Sequence, residues 1–311
     1  MSLRPLVVIV GPTAGGKSAL GLFLAEKLGG EIVVCDSTQV YRHFDIGTAK
    51  PTAEERKRVR HHLLDLCEPT EGFTAGDYLR LGRQALGGVS RRGKLPIVTA
   101  GTGLYLRALL EGLSPLPPRS PELRARLQER ADRKGSSYLH RLLARVDPQS
   151  ARGISPQDAP KLIRALEVVF VARRPRGELF REGRPRLEGY SVTKLGLLPE
   201  RSALYARIEA RIEQMLAAGW LEETKRLHER FGDSAKPFGF IGYKQLAAQL
   251  RGEISLAEAV TLIKQETRNF AKRQFTWFRK EPEVEWLAGF GDAATLQAEA
   301  LVRLRAAVRG S

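Results

Sequence analysis

The chain has 311 residues, which is enough for one large domain or two modest ones. Its net charge of +16 suggests a polyanionic partner such as nucleic acid, unless the charge reflects an arginine-rich proteome. Its two cysteines are too few for a disulfide framework and favour a reducing compartment. Because it has neither an export segment of the usual form nor an apolar run that could span a bilayer, we expect a soluble, cytoplasmic protein that does not bind membranes.

Apolar segments alternate with helical patterns through much of the chain. Four segments have the composition of buried strands: residues 6–10, 31–36, 95–100 and 192–198. The helical pattern Ser18–Leu28 joins the first two strands into a unit of the size of a βαβ motif. This alternation predicts an α/β fold with an open, mostly parallel sheet flanked by helices.

The middle of the chain has a different pattern, which predicts a helical insertion. A proline-rich boundary precedes predicted helices over residues 121–134, 136–145 and 158–173, and an Arg-, Gly- and Pro-rich stretch after them predicts a loop. Helices are predicted again over residues 203–231 and 256–278 and near the carboxyl terminus. We therefore divide the chain into a first core part (1–114), a helical insertion domain (115–190) and a second core part with carboxyl-terminal helices (191–311).

The sequence GPTAGGKS fits the phosphate-loop pattern and lies between a predicted strand and a predicted helix, as that motif requires. Its backbone N–H groups, the helix amino end and Lys17 can hold phosphates, and the Ser18 hydroxyl can bind Mg²⁺. The core is therefore predicted to be P-loop NTPase-like. However, the strand 95–100 does not end in the acidic residue that phosphoryl-transfer enzymes use to orient Mg²⁺, and Asp65 is a weak substitute.

Asp36 follows the second predicted strand, so it should face the same cleft as Lys17 and Ser18, because ligands bind outside the carboxyl ends of parallel strands. From its position alone, Asp36 could be a Mg²⁺ ligand, a general base or a helix cap. Gln39 could bind a base edge or complete a turn.

Six blocks together resemble the tRNA dimethylallyltransferases, in that family's order and from about residue 5 to 280: GPTAGGKS, DSTQVYRHFDIGTAKP, GTGLYLRALLEGL, IRALEV, IGYKQL and TRNFAKRQFTWFR. The resemblance implies transfer of a dimethylallyl group from dimethylallyl diphosphate to the N6 amine of the adenosine 3′ of the anticodon in tRNA. The phosphate loop would then hold the donor's diphosphate, and no nucleoside triphosphate would be consumed.

The resemblance also implies roles for individual residues. Asp36 matches the general base, and Thr13, Lys17 and Arg211, the last preferred to Arg207, match catalytic residues that contact the diphosphate. The implied cofactor is Mg²⁺, bound at Ser18. The implied diphosphate-binding set is Gly11, Pro12, Thr13, Ala14, Gly15, Gly16, Lys17, Ser18 and Arg211.

The implied partner is the anticodon stem-loop of tRNA. Its predicted contacts are Asp36, Ser37, Thr38, Gln39, Thr102, Arg124, Pro160, Lys161, Leu162, Ile163, Arg164, Gly239, Phe240, Ile241, Gly242, Tyr243 and Lys244. Thr102 could instead cap the helix that begins there. Lys264, Arg268 and Lys272 recur every four residues and are interpreted as a phosphate-facing basic stripe.

Two other functions remain open at this point. A P-loop kinase of a small metabolite or nucleotide would suit the fold, and a non-catalytic RNA-binding protein would suit the charge. The missing strand-end acid and the later sequence blocks favour the prenyltransferase over the kinase. We expect a monomer, and no zinc site.

Overall fold

The computed structural model describes residues 3–309, with side chains described to residue 305. Within that range six strands form one sheet in the order β3-β2-β4-β1-β5-β6, and every neighbouring pair is parallel. The strands are β1 (Arg4–Val10), β2 (Gly30–Cys35), β3 (His61–His62), β4 (Leu95–Ala100), β5 (Tyr190–Leu198) and β6 (Val284–Ala288). The predicted α/β fold with a parallel sheet is confirmed.

Fourteen α-helices are found in residues 3–309. They are α1 (Lys17–Leu28), α2 (Ala53–Arg58), α3 (Ala75–Arg91), α4 (Gly103–Glu111), α5 (Pro121–Lys134), α6 (Ser136–Val146), α7 (Pro148–Arg152), α8 (Ala159–Ala172), α9 (Arg176–Arg181), α10 (Arg201–Ala217), α11 (Trp220–Phe231), α12 (Tyr243–Leu250), α13 (Leu256–Phe278) and α14 (Ala294–Arg309).

The central strand β1 is buried on both faces, because alternate side chains enter two different hydrophobic clusters. Val7 and Ile9 pack in the cluster that includes residues of α1 and α14. Leu6, Val8 and Val10 pack in the cluster formed with α3 and α4. A strand covered in this way reads as an unbroken apolar run, as residues 6–10 do.

The predicted helix over residues 203–231 is wrong in one respect, since the chain forms two helices there. α10 ends at Ala217, and Gly219, at φ 95°, precedes the start of α11 at Trp220. Glycine adopts this left-handed conformation at little cost, so the break falls where a side chain is absent. The helices α10–α13 share a third core cluster, which includes Leu204, Ile208 and Tyr243.

The chain separates into two compact units, one comprising the residues up to Leu110 with those from Leu187 onward, and the other Glu111–Arg186. The second unit has its own core, contributed by α5 to α8. The stretch after residue 173 was predicted to be a loop throughout, but it contains α9, in which Leu179 is buried.

Leu24 of α1 tests the packing of the helix layer against the sheet. Its side chain is fully buried, so the Leu24→Ala substitution should lower the free energy of unfolding by about 2–5 kcal/mol through lost burial and a residual cavity. Leu256→Ala is the matched control, because Leu256 is 42% exposed and its truncation should change stability by about 0.5 kcal/mol or less. Urea denaturation measures both, and equal effects would contradict the assigned burial.

Candidate active site

The phosphate loop follows β1 and leads into α1. Gly16 directly precedes α1 and has φ 90°. No side chain caps the first turn of α1, so the backbone N–H groups of that turn are available to an anion. Gly16 also packs closely, since a Cβ there would lie 2.6 Å from the Gly291 nitrogen, and the Gly291 N–H donates to the Gly15 carbonyl at 3.0 Å. The segment between β6 and α14 thus supports the loop from outside.

Lys17 has its ammonium folded back over the loop. Its Nζ donates to the Gly11 carbonyl at 3.0 Å and to the Pro12 carbonyl at 2.8 Å. Burial lowers the pKa of Lys17 to about 8, Asp36 opposes the shift, and Arg211 adds to it. An anion bound in the loop would favour the charged form of this lysine.

Asp36 directly follows β2 and is held by its own turn. Its Oδ1 accepts hydrogen bonds from the Thr38 backbone N–H at 2.8 Å and from the Thr38 hydroxyl at 2.7 Å. The Ser37 N–H donates to the Thr102 hydroxyl at 3.0 Å, and that hydroxyl donates to the Ser37 Oγ at 3.2 Å. Thr102 therefore joins the ends of β4 and β2, and its hydroxyl is engaged there.

Two adjoining cavities meet at Asp36. The first, about 430 Å³, has a polar lining that includes Thr13, Lys17, Ser18, Asp36, Gln39 and Arg211. The second, about 360 Å³, shares Thr13, Asp36 and Arg211 with the first. Its other walls are more apolar and include Trp220, Phe240, Tyr243 and Phe270. The carboxylate thus faces a charged compartment on one side and an aromatic compartment on the other.

Arg207 and Arg211 differ in what they already bind. Arg207 forms two 2.7 Å hydrogen bonds to the Asp292 carboxylate and lies over the Phe290 ring. Arg211 has no ion-pair partner among residues 3–309 and lines both cavities. Burial and the neighbouring Arg207 lower the pKa of Arg211, while Asp36 opposes this shift. Arg211 is therefore the guanidinium that remains available to a ligand.

Gln39 lines the first cavity, but its amide group is engaged within the protein. Its Nε2 donates to the carbonyls of Thr48 at 3.0 Å and Ala49 at 3.1 Å. Both of these residues line the two cavities, so Gln39 holds part of the wall in place. The predicted contact of Gln39 with a base edge stays a prediction, and the side chain does not complete its own turn, because its partners are nine and ten residues away.

The block Gly239–Lys244 is divided between the cavity and the core. Gly239, Phe240, Ile241 and Tyr243 line the second cavity, whereas Lys244 is exposed. Gly242 has φ 94°, and a Cβ there would lie 2.0 Å from the Trp220 ring. This glycine is therefore required by local packing.

The buried carboxylate of Glu223 holds part of the wall of the second cavity in place. Glu223 accepts hydrogen bonds from the Tyr243 hydroxyl and from the backbone N–H groups of Asp45 and Ile46. The hydroxyl oxygen of Tyr243 in turn accepts a hydrogen bond from the Gly47 N–H at 3.0 Å. Because Gly47 and Tyr243 both line the second cavity, Glu223, which does not, determines the shape of that cavity indirectly.

Within the helical unit, the predicted tRNA contacts have different environments. Arg124 and Arg164 pair with the fully buried Glu167 at 3.1 and 2.7 Å. Lys161 pairs with Asp158 at 2.5 Å, but its side chain is 72% exposed. The side chains of Leu162 and Ile163 pack in the core of the unit, and Pro160 is in the first turn of α8.

Two members of the basic stripe Lys264, Arg268 and Lys272 already have carboxylate partners, and its role as a phosphate-facing surface stays a prediction. Lys264 pairs with Glu213 at 2.6 Å and Arg268 pairs with Glu209 at 2.5 Å, and both glutamates are on α10. These pairs join two helices of the same unit. Lys272 is exposed.

Sequence analysis missed Gln274, which is 6% exposed on α13. Its Oε1 accepts a hydrogen bond from the Thr13 N–H at 2.6 Å, and its Nε2 donates to the Gly101 carbonyl at 2.8 Å. The sequence contained an indication of this residue. Ala271, Gln274 and Phe278 are three and four residues apart and therefore share a helix face. A polar residue on a face that is otherwise buried requires partners.

Among the described residues, no group of three or more His, Cys, Asp or Glu side chains could hold a metal ion. A Mg²⁺ ion bound by one protein hydroxyl and by substrate phosphate oxygens needs no such group, and Ser18 lines the first cavity. No helix in residues 3–309 has the length and apolarity needed to span a membrane.

A parallel sheet on which a phosphate loop and a strand-end carboxylate share one cavity is typical of the P-loop fold class. The family model for IPP transferase matches residues 39–281. The tRNA dimethylallyltransferase of Koribacter versatilis is 52% identical over 97% of this chain and 98% of that protein. The Solibacter usitatus tRNA dimethylallyltransferase is 50% identical over 96% and 98%.

Solved structures that resemble this chain come from the same family as these relatives. The tRNA isopentenylpyrophosphate transferase of Bacillus halodurans is 35% identical, with a TM-score of 0.73 over 99% of this chain and 97% of that one. A eukaryotic dimethylallyltransferase acting on tRNA is 26% identical, with a TM-score of 0.80 over 97% of this chain and 77% of that one. The chain belongs to the tRNA dimethylallyltransferase family of prenyltransferases.

The pKa of Lys17 predicts a pH dependence for anion binding. Below pH 8 most Lys17 side chains carry a charge that would attract an anion, and above pH 8 most have lost their proton in the free enzyme. The affinity advantage of the wild-type protein over Lys17→Met for inorganic diphosphate should therefore fall about tenfold from pH 7 to pH 9. Calorimetric titration measures it.

Lys27→Met is the matched control, since Lys27 is an exposed lysine at the other end of the same helix. This variant should bind diphosphate like the wild type at each pH. An affinity ratio between wild type and Lys17→Met that stays constant over the two pH units would contradict the assignment.

Proposed function

We propose that this chain transfers a dimethylallyl group from dimethylallyl diphosphate to the N6 amine of the adenosine 3′ of the anticodon in tRNA, releasing diphosphate. The observation that supports this most directly is the convergence of Lys17, Asp36 and Arg211 on one cavity. That arrangement offers two cations to a leaving group and one carboxylate to an incoming amine. The relatives named above are tRNA dimethylallyltransferases.

The donor's diphosphate is proposed to lie in the phosphate loop, Gly11–Ser18. As the carbon–oxygen bond breaks, negative charge develops on the departing diphosphate. The N–H groups at the start of α1, Lys17 and Arg211 are fixed before the reaction and stabilise that charge. Ser18 would hold a Mg²⁺ ion, which when bound supplies further neutralisation of the diphosphate.

Asp36 is proposed to be the general base. The adenine amine is a weak nucleophile because its lone pair is delocalised into the ring. As N6 forms its bond to the first carbon of the dimethylallyl group, the carbon–oxygen bond breaks, diphosphate leaves, and the N6 proton passes to the Asp36 carboxylate. The Thr38 hydrogen bonds occupy Oδ1, which leaves Oδ2 available as the acceptor.

The second cavity is proposed to receive the adenosine. Its aromatic lining suits a planar base, and Arg273 at its edge suits the negatively charged RNA backbone. An adenine inside a stacked loop cannot present its amine to Asp36, so the nucleotide must be flipped out of the loop. Thr102, which is fixed beside Ser37, belongs to the same proposed subsite.

The residues Glu111–Arg186 are proposed to contact the anticodon stem-loop. Lys161 is the member best suited to meet a phosphate, because most of its side chain is exposed and its present partner is a surface carboxylate. Arg124 and Arg164 would bind RNA only with the guanidinium edges that Glu167 does not use.

A P-loop kinase is the second candidate, and the site disfavours it. No carboxylate follows β4, and Asp65 accepts hydrogen bonds from Lys50 at 2.6 Å and from Arg56 at 2.8 Å. Asp65 is thus already paired with two cations from an earlier segment of the chain. We therefore expect no appreciable ATP turnover with Mg²⁺ in the absence of tRNA, and such turnover in a phosphate-release assay would favour the kinase.

We also propose that the enzyme acts as a monomer in the cytoplasm. Cys35 and Cys67 are free, buried thiols, which accords with a reducing compartment. Analytical ultracentrifugation at micromolar concentration tests the oligomeric state, and a stable dimer would contradict it.

The Asp36→Asn substitution tests the general base. The amide still accepts the Thr38 hydrogen bonds but is far less basic, so the single-turnover rate of prenyl transfer should fall by about 10²–10⁴-fold while the tRNA dissociation constant is unchanged. Rapid quench with radiolabelled donor measures the rate, and filter binding measures affinity.

Asp233→Asn is the matched control, since Asp233 is an exposed aspartate paired only at the surface, and it should transfer at the wild-type rate. An Asp36→Asn enzyme that transfers the prenyl group as fast as this control would exclude Asp36 as the base.

A further inference from the structure

Gln274 connects the two halves of the reaction centre. Its side chain lies between the phosphate loop and the turn after β4, with the Thr13 N–H on one side and the Gly101 carbonyl on the other. A backbone N–H can only donate and a carbonyl can only accept, so the orientation of the amide is fixed by its partners. A substitution that removes either the acceptor or the donor loses at least one of the two hydrogen bonds.

The turn at Gly101 in turn adjoins the carboxylate. The N–H groups of Gly101 and Thr102 both donate to the Cys35 carbonyl at 3.0 Å, immediately before Asp36 in the chain. A Cβ on Gly101 would lie 2.6 Å from the Asp36 Oδ2. The Gly101 backbone therefore forms one side of the space that this carboxylate oxygen occupies.

The amide does more than fill space. An apolar side chain of the same length would leave the Thr13 N–H and the Gly101 carbonyl without these hydrogen bonds, and a buried polar group that is left unpaired costs free energy. In addition, the bond to Gln274 occupies the Thr13 N–H, which a phosphate loop would otherwise direct at its anion.

We propose that Gln274 is a positioning residue that sets the separation between the diphosphate in the loop and the Oδ2 of Asp36. This inference rests on the proposed function, since it assigns meaning to that separation. The donor's carbon must lie between the leaving diphosphate and the amine that Asp36 deprotonates. A fixed distance between loop and carboxylate therefore holds the reactants in line, and misplacement by about 1 Å costs on the order of 10²-fold in rate.

The first test is Gln274→Met, which keeps the length of the side chain and removes both hydrogen bonds. We expect the single-turnover rate of prenyl transfer to fall by about 10–100-fold. The dissociation constants for inorganic diphosphate and tRNA should change by less than about threefold, because each ligand still meets its own half of the site. A loss confined to the chemical step separates positioning from binding.

The matched control is Gln249→Met, because Gln249 is a partly buried glutamine in the same unit whose Oε1 has no hydrogen-bond partner. It should retain the wild-type rate. If Gln274→Met and Gln249→Met transfer equally fast, the proposal is overturned.

Gln274→Glu provides the second test and decides the question if the methionine variant does not fold. The ionised carboxylate still accepts the hydrogen bond from the Thr13 N–H, but it is repelled by the Gly101 carbonyl oxygen because both groups can only accept. The protonated carboxyl restores a donor to that carbonyl. The rate of Gln274→Glu relative to wild type should thus rise as the pH falls through the pKa of the new carboxyl, which NMR of the labelled side chain locates, with thermal stability followed at each pH. A ratio that does not change across that titration overturns the proposal.

The two proposals fail in different ways. If Asp36→Asn abolishes transfer but both Gln274 variants behave as wild type, the positioning role alone is excluded. If Asp36→Asn transfers at the wild-type rate, the assignment of the general base fails, whatever the Gln274 variants do.

Discussion

All neighbouring strands of the sheet are parallel, so the chain leaves each of them at the same edge. In the order β2-β4-β1, three loops far apart in sequence become neighbours: the phosphate loop after β1, Asp36 after β2, and Gly101 with Thr102 after β4. Neither cavity would exist without this constraint, because each is bounded by residues from at least two of these loops.

The charges at that edge are unbalanced before any ligand arrives. Lys17 and Arg211 face the first cavity with Asp36 as the opposing charge, and burial lowers the pKa of both cations. In the proposed reaction, a bound diphosphate would restore to these groups the stabilisation that they lost with their water. Because both cations are already in place in the folded protein, they would need no reorganisation when the bond breaks.

Local pattern was enough to predict the phosphate loop and the buried strand at residues 6–10, since both are determined by neighbours in sequence. Partners distant in sequence were not predictable. Lys264 and Arg268 have the spacing of a nucleic-acid-binding surface, yet glutamates of α10 neutralise them. The role of Gln274 depends on two loops more than 170 residues away, and the break at Gly219 interrupts an amphipathic pattern that continues across it.

The close packing of Gly16 against Gly291 has a consequence for how the enzyme is made. These residues are 275 positions apart, so the phosphate loop leaves the ribosome well before the segment that supports it. At typical rates of synthesis the interval is about 14–55 s. During it the nascent chain holds a glycine-rich loop without its outer support, and the packing of that loop is completed only once Gly291 has been synthesised.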